Sequence, residues 1–309
     1  MIISYQKEAA LKKEEARMKN IREAVRKSIL VYDGSKGVLL QRMGLAGGEC
    51  GDLWNADFPD RVRSIYESYR AAGSDIIQTN TFTANALSLK RHGLADRTRE
   101  FNRRAARLAR EVMGETGLVA GSMGPTGILL EPYGDLTEEE ARQCFTEQAE
   151  ALAEGGADAL HLETFMDLEE MKIAIKAAKA TGLTVIASMT FTTAGRTLMG
   201  SSPADCVAAL KDAGADLLGA NCSVGPAQMV PILEAMKEAG AGPLCAKPNA
   251  GMPRVEDGET IFDEGPEVFS RLVPAYLNAG AVILGGCCGT GPDHIRAIRR
   301  AVDSRQQGA

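Results

Sequence analysis

Along this chain, short apolar runs alternate with longer stretches of helical periodicity. The runs fall at 29–33, 75–80, 117–122, 157–164, 183–190, 215–222, 243–249 and 281–288. Their apolar residues are nearly continuous rather than alternating, which is the pattern of parallel strands covered on both faces. Between them lie amphipathic segments such as "PDRVRSIYESYRAAG" and "EEEARQCFTEQAEALAEGG". Several end in a glycine just before the next apolar run: Gly73, Gly156, Gly182, Gly214 and Gly280. A glycine there stops a helix by taking a positive φ. One phrase recurs at these junctions, as "AAGSDII", "EGGADAL", "DAGADLL" and "NAGAVIL". Each copy marks the passage from helix to strand in one βα unit.

Eight such units predict an α/β fold, a (β/α)8 TIM barrel with an extra N-terminal helix. A doubly wound open sheet is the rival, but the chain carries no dinucleotide fingerprint. No linker rich in Pro or Ser divides the sequence. The expected organisation is therefore a helical extension at 1–28 followed by one barrel at 29–305. Within the extension, residues 5–27 predict an amphipathic helix with Leu11, Met18, Ile21 and Val25 on one side. That side suits the bottom of the barrel or a second subunit.

The 309 residues, 45% of them hydrophobic, suffice for one large core. A net charge of −6 without a long basic run argues against nucleic acid and anionic membrane as partners. No apolar stretch reaches the roughly 18 residues of a membrane span. The N-terminus is charged and does not read as a signal peptide, so a cytoplasmic location is expected. Seven cysteines, an odd number, argue against a disulfide framework and leave thiols for metal binding or chemistry.

Function in a barrel of this kind collects at the C-terminal ends of the strands. Those ends carry Asp33-Gly34-Ser35, Thr79-Asn80-Thr81, Ser122-Met123-Gly124, Glu163-Thr164, Met189-Thr190, Asn221-Cys222-Ser223, Pro248-Asn249 and Cys287-Cys288. Polar residues merely meeting water explain Thr79 and Ser223. They do not explain Cys222, Cys287 and Cys288, because cysteine is usually buried rather than placed at a rim. A closed parallel barrel brings the sixth and eighth strands to the same rim. Three thiolates there can hold one Zn²⁺ per chain and leave a fourth position for substrate. Flanking glycines permit the sharp bend that adjacent cysteines need. Simple burial and a vicinal disulfide are the competing readings of the pair.

The remaining candidates are less specific. Cys144, Cys206 and Cys245 read as small core residues, and Cys50 lies in the loop after the first strand. His161 shares a face with Glu163, one layer deeper, and reads as a core histidine. Asp33 and Glu163 suit either a general acid–base pair or recognition of a substrate ammonium. The "GSMGPTG" loop after the third strand could cradle an anion with its amides, although it lacks the P-loop lysine.

Together these residues resemble the homocysteine S-methyltransferase family, from about Ile29 to Val302. The matching motifs are "DG" at 33–34, "TNTF" at 79–82, "GPTG" at 124–127, "ET" at 163–164, "NCS" at 221–223, "PNAG" at 248–251 and "GGCCGT" at 285–290. Three of them, TNTF, GPTG and PNAG, are closer to the methionine synthase branch than to the betaine branch. The resemblance implies zinc held by Cys222, Cys287 and Cys288, with homocysteine bound to it as a thiolate. It also implies that Asp33, the Gly34 amide and Glu163 hold the amino-acid end, with Thr164 and Asn249 nearby. The first motif departs from the family's usual DGAMGT, reading Asp33-Gly34-Ser35-Lys36-Gly37-Val38 and placing a cation at the mouth.

The chain lacks the DxHxxG cobalamin-ligating pattern and room for a folate or cobalamin domain. The methyl donor expected is therefore methylcobalamin on a separate corrinoid protein. A sulfonium such as S-methylmethionine is the alternative, or methylation of another thiol. A non-catalytic zinc-binding module, or a carboxylate-based hydrolase or aldolase on the same barrel, completes the set of readings.

Overall fold

The computed structural model describes residues 21–256 and 259–306. Eight parallel strands form the barrel: β1 (Leu30–Val31), β2 (Ile76–Gln78), β3 (Leu118–Met123), β4 (Ala159–Phe165), β5 (Thr184–Met189), β6 (Leu217–Asn221), β7 (Leu244–Lys247) and β10 (Ala281–Leu284). The hydrogen-bonded order is β1-β10-β7-β6-β5-β4-β3-β2, and a parallel bridge from Tyr32 to Ile76 closes the ring. All eight apolar runs read from the sequence therefore supply a strand. A short antiparallel hairpin, β8 (Arg254–Glu256) and β9 (Glu259–Ile261), was not expected and sits in the loop after β7.

The strands are apolar along their length because both faces are covered. Every residue of β3, β5, β6 and β7 is buried. An inner cluster, including Leu30, Ile76, Leu118, Ile186, Leu217 and Ile283, fills the barrel. The outer faces pack against the surrounding helices in a second, larger cluster. Helix starts follow local rules. Thr137 with Glu140 and Ser202 with Asp205 form capping boxes, and proline opens the helices at 59, 203, 226 and 266.

The recurring junction phrase gains a physical meaning here. Its glycines Gly73, Gly156, Gly214 and Gly280 all have positive φ, between 90° and 102°. In three copies the next-but-one residue is an aspartate whose carboxylate accepts an amide from the preceding strand. Asp75 takes Val31 N at 2.7 Å, Asp158 takes Val119 N at 2.8 Å and Asp216 takes Val185 N at 2.8 Å. Each carboxylate also meets a cation, namely Arg299, Arg110, and Lys179 with Arg22. The bottom of the barrel is thus pinned by side chains that satisfy strand amides.

Residues 21–27 are helical. Ile21 and Val25 are buried within the inner barrel cluster, so this helix closes the barrel from below. Leu11 and Met18, and the rest of the predicted 5–27 helix, lie outside the described residues. Truncating Ile21 to alanine removes a fully buried plug. It is expected to destabilise the protein by about 2–5 kcal/mol in denaturant unfolding.

Candidate metal and substrate site

Strand β7 positions the site because it lies between the two strands that carry the cysteines. Its register pairs Asn221 of β6 with Lys247, and Leu284 of β10 with Ala246. Just beyond that register, the last carbonyls of β7 take the cysteine segments one after the other. Cys222 N donates to Lys247 O at 3.0 Å and Cys287 N donates to Pro248 O at 2.8 Å. Cys288 N donates to Asn249 Oδ1 at 3.1 Å. The sulfurs of Cys222, Cys287 and Cys288 consequently lie within 4.8 Å of one another, with Cys222 and Cys288 Sγ 3.8 Å apart. Among the described residues this is the one group of three or more His, Cys, Asp or Glu that could hold a metal ion.

The backbone is bent to achieve this. Thr164, Cys222 and Ser223 have φ of 65°, 63° and 57°, in the left-handed region that non-glycine residues rarely occupy. Each such residue costs on the order of 1–3 kcal/mol and persists only where its surroundings hold it. Asn221 does the holding at Thr164: its Oδ1 accepts Thr164 N and its Nδ2 donates to Thr164 Oγ1, both at 2.8 Å. The same Nδ2 points at Cys287 Sγ, 3.8 Å away. On the other side, Gly286 has no room for a side chain, since a Cβ would collide with Thr290. The adjacent cysteines bend sharply there, with Gly289 at φ 80°.

The three sulfurs interact directly with one another. Hydrogen bonds from Cys287 and Cys288 lower the Cys222 thiol well below its ordinary value. The same contacts push the Cys287 thiol up to about 12 and Cys288 higher still. The other thiols behave as core groups. Cys144, Cys206 and Cys245 are buried, and burial raises them to about 11, 12 and 12. Cys50 is buried beside Leu89 and Phe101.

The thiols form part of the wall of a cavity of about 320 Å³ at the C-terminal mouth, which Gly34, Lys36, Glu163 and Thr164 also line. Beneath it lies a buried charge network. Lys247 donates to Gln78 Oε1, sits 3.8 Å from Glu163 Oε2 and 3.9 Å from Asp33 Oδ1, and lies over the Tyr32 ring. Burial alone would strip its proton. Glu163 and Asp33 reverse that and hold its pKa above the ordinary lysine value. Glu163 Oε1 accepts from Gln78 Nε2 and Ser122 Oγ, both at 2.6 Å, and burial raises its carboxyl. His161 is the core histidine expected, bonded through Nε2 to Ser188 at 2.8 Å and held neutral by burial.

Asp33 is placed differently from the other predicted contacts. It is completely buried, and its Oδ2 accepts from Lys36 Nζ at 2.5 Å and Gln78 N at 2.8 Å. Lys36 covers it and faces the cavity in its stead. Asn249 acts on the Cys288 backbone rather than on the cavity wall. The "GSMGPTG" loop already holds an internal anion, because Glu170 accepts both the amide and the hydroxyl of Thr126. The roles of Lys247, Gln78, Asn221 and Asp52 escaped the sequence reading. Asp52 lines the cavity, accepts from Thr83 Oγ1 and is raised to about 6 by burial. A lysine inside an apolar strand run was the available signal for Lys247.

A family model described as Homocysteine S-methyltransferase matches residues 30–302. The chain belongs to the homocysteine S-methyltransferase family. Among its relatives, the methionine synthases of Mycobacterium leprae and Mycobacterium tuberculosis are each 33% identical, over 91% and 89% of this chain. The chain spans about a quarter of the length of either, 25% and 24%. The homocysteine methyltransferase MmuM of Escherichia coli, in its metallated form, shares the fold. Its TM-score is 0.75 at 23% identity, over 92% of this chain and 99% of that one.

Replacing Lys247 with methionine would leave buried Glu163 without its cation and Asp33 with Lys36 alone. Loss of about 3–5 kcal/mol is expected. The sign of its pH dependence follows from Glu163, whose folded-state pKa already lies above its ordinary value. Such a carboxyl is least costly when protonated and becomes destabilising as pH rises through its folded pKa. Urea unfolding of Lys247→Met and wild type should therefore differ more at pH 8 than at pH 5.

Proposed function

We propose that this protein is a zinc-dependent homocysteine S-methyltransferase, with the methyl group supplied as methylcobalamin by a separate corrinoid protein. The observation that carries the reading is the convergence of three thiols on one cavity wall, opposite a charged substrate end. The donor set fits zinc. A tetrahedral site with Zn–S near 2.3 Å places its sulfurs about 3.8 Å apart, and Cys222 and Cys288 already stand at 3.8 Å. Cys222, Cys287 and Cys288 would hold the ion. Bound zinc stabilises a substrate thiolate at neutral pH, giving a nucleophile without a carboxylate base.

The chain's own residues then bind and orient. Glu163, held through Oε1 by Gln78 and Ser122, offers Oε2, which also stands 3.8 Å from Lys247 Nζ, to the substrate ammonium. The Gly34 and Thr164 backbones line the same cavity. Asn221 fixes Thr164 and leans on Cys287, while Asn249 fixes the Cys288 amide. As the substrate sulfur attacks the methyl carbon, the new S–C bond forms while the bond to the donor breaks, giving methionine. Exclusion of water keeps the thiolate available to the donor.

A donor carried by a second macromolecule is supported by the rim. Phe82, Leu129, Tyr133, Met166, Leu198 and Met199 are exposed on the loops after β2 to β5. Large apolar side chains grouped on loops around one mouth suit a protein partner better than a small soluble donor. Among the described residues, no helix is long and apolar enough to cross a membrane.

Elemental analysis of reduced protein should give about one zinc per chain, with most of it lost in Cys287→Ala. Full zinc content in that variant refutes the ligand assignment. Turnover of homocysteine is expected with a methylcobalamin-loaded corrinoid protein; turnover with S-methylmethionine alone would replace that donor. Asn221→Ala removes an orienting group behind the ligands. It should weaken zinc binding by about 10- to 100-fold in chelator competition.

A further inference from the structure

We propose that Lys36 binds the carboxylate of the substrate, so that the cavity recognises an amino-acid zwitterion with one cation and one anion of its own. The inference rests on the reading of the site as one that binds an amino-acid thiol beside the three cysteines. Glu163 supplies the anion and Lys36 the cation.

Asp33 is withdrawn from the cavity. Its Oδ2 is already engaged by Lys36 and by the Gln78 amide, it is fully buried, and its Oδ1 lies 3.9 Å from Lys247. Its Oδ1 has no hydrogen-bond partner, and the residue does not line the cavity. Lys36 stands between it and the cavity, with its side chain 11% exposed. An ammonium has three donors. Lys36 directs one to Asp33 and a longer one, 3.4 Å, to Gly34 O. A donor therefore remains for a ligand in the cavity. Lys247, the other cation on the wall, is 2% exposed and is committed to Gln78, Glu163 and Asp33.

The charges leave the same assignment. Lys247 lies between Asp33 and Glu163, and Lys36 pairs with Asp33. Two lysines and two acids make the network balanced before substrate enters. A neutral network binds a zwitterion without creating net charge in a buried place, whereas a lone cation or lone anion would leave one. Lys36 stands after β1 and Glu163 on β4, and both line the cavity.

The test uses zinc- or cobalt-loaded protein and three thiols: homocysteine, 3-aminopropane-1-thiol, which lacks the carboxylate, and 4-mercaptobutanoate, which lacks the ammonium. Binding is read from the cobalt–thiolate absorption and by calorimetry. Wild type should bind homocysteine at least about 10-fold more tightly than 3-aminopropane-1-thiol. Lys36→Met should weaken homocysteine and 4-mercaptobutanoate by about 10- to 100-fold. It should leave 3-aminopropane-1-thiol and the metal content nearly unchanged. Lys36→Arg, which keeps the charge, should retain the preference for a carboxylate. Unchanged or tighter homocysteine binding in Lys36→Met overturns the proposal, since Lys36 would then be a block over Asp33. Equal weakening of all three thiols overturns it too. If metal-loaded wild type binds none of the three, the methyltransferase reading itself falls and takes the Lys36 assignment with it.

Discussion

Three sulfurs packed within 4.8 Å cannot all carry negative charge unless a cation lies among them. Their hydrogen bonds to one another lower the Cys222 thiol and raise those of Cys287 and Cys288. Like charges at such distances in a partly buried place repel too strongly for a second ionisation near neutral pH. A divalent cation among them would offset that repulsion. Most of what is unusual around the site serves to keep the sulfurs that close: the left-handed backbone at Cys222 and Ser223, the side-chain clamp of Asn221, and the successive carbonyls at the end of β7.

The barrel makes this possible at little cost in precision. Cys222 and Cys287 are far apart along the chain, but a parallel sheet fixes the register of β6, β7 and β10 through backbone bonds alone. Cys222 follows that register by one residue, and Cys287 and Cys288 by three and four, so their positions are inherited from the strands rather than from long flexible loops. Below them the Lys247 network places buried charge at the bottom of the cavity. Buried ion pairs are weak contributors to stability in general, but breaking one is costly. Lys247 is thus better understood as fixing where Glu163 points than as a source of stability.

Much of this was legible in the sequence, and the reasons are specific. Continuous apolar runs marked all eight strands because both faces are buried, and glycines at the junctions declared themselves by the positive φ they alone take easily. The NCS and GGCCGT motifs marked the sulfurs. What escaped depends on which groups meet across strands. The role of Lys247 follows from its neighbours Asp33 and Glu163, which come from β1 and β4 ends distant in sequence. Asn221 stood next to a recognised cysteine, yet its function lies in the backbone of Thr164 on another strand. The burial of Asp33 beneath Lys36 was closer to the surface of the sequence, since the two are three residues apart. The hairpin Arg254–Ile261 is too short, three residues a side, to leave a periodic signal.

The central claim is that these three sulfurs hold one metal ion and pass a fourth ligand place to an incoming thiol. X-ray absorption at the zinc edge tests it most directly. Purified, zinc-loaded protein should show three sulfur neighbours at about 2.3 Å with one lighter atom, and a fourth sulfur after homocysteine is added. A spectrum with fewer than three sulfurs, or one that homocysteine leaves unaltered, would contradict the account.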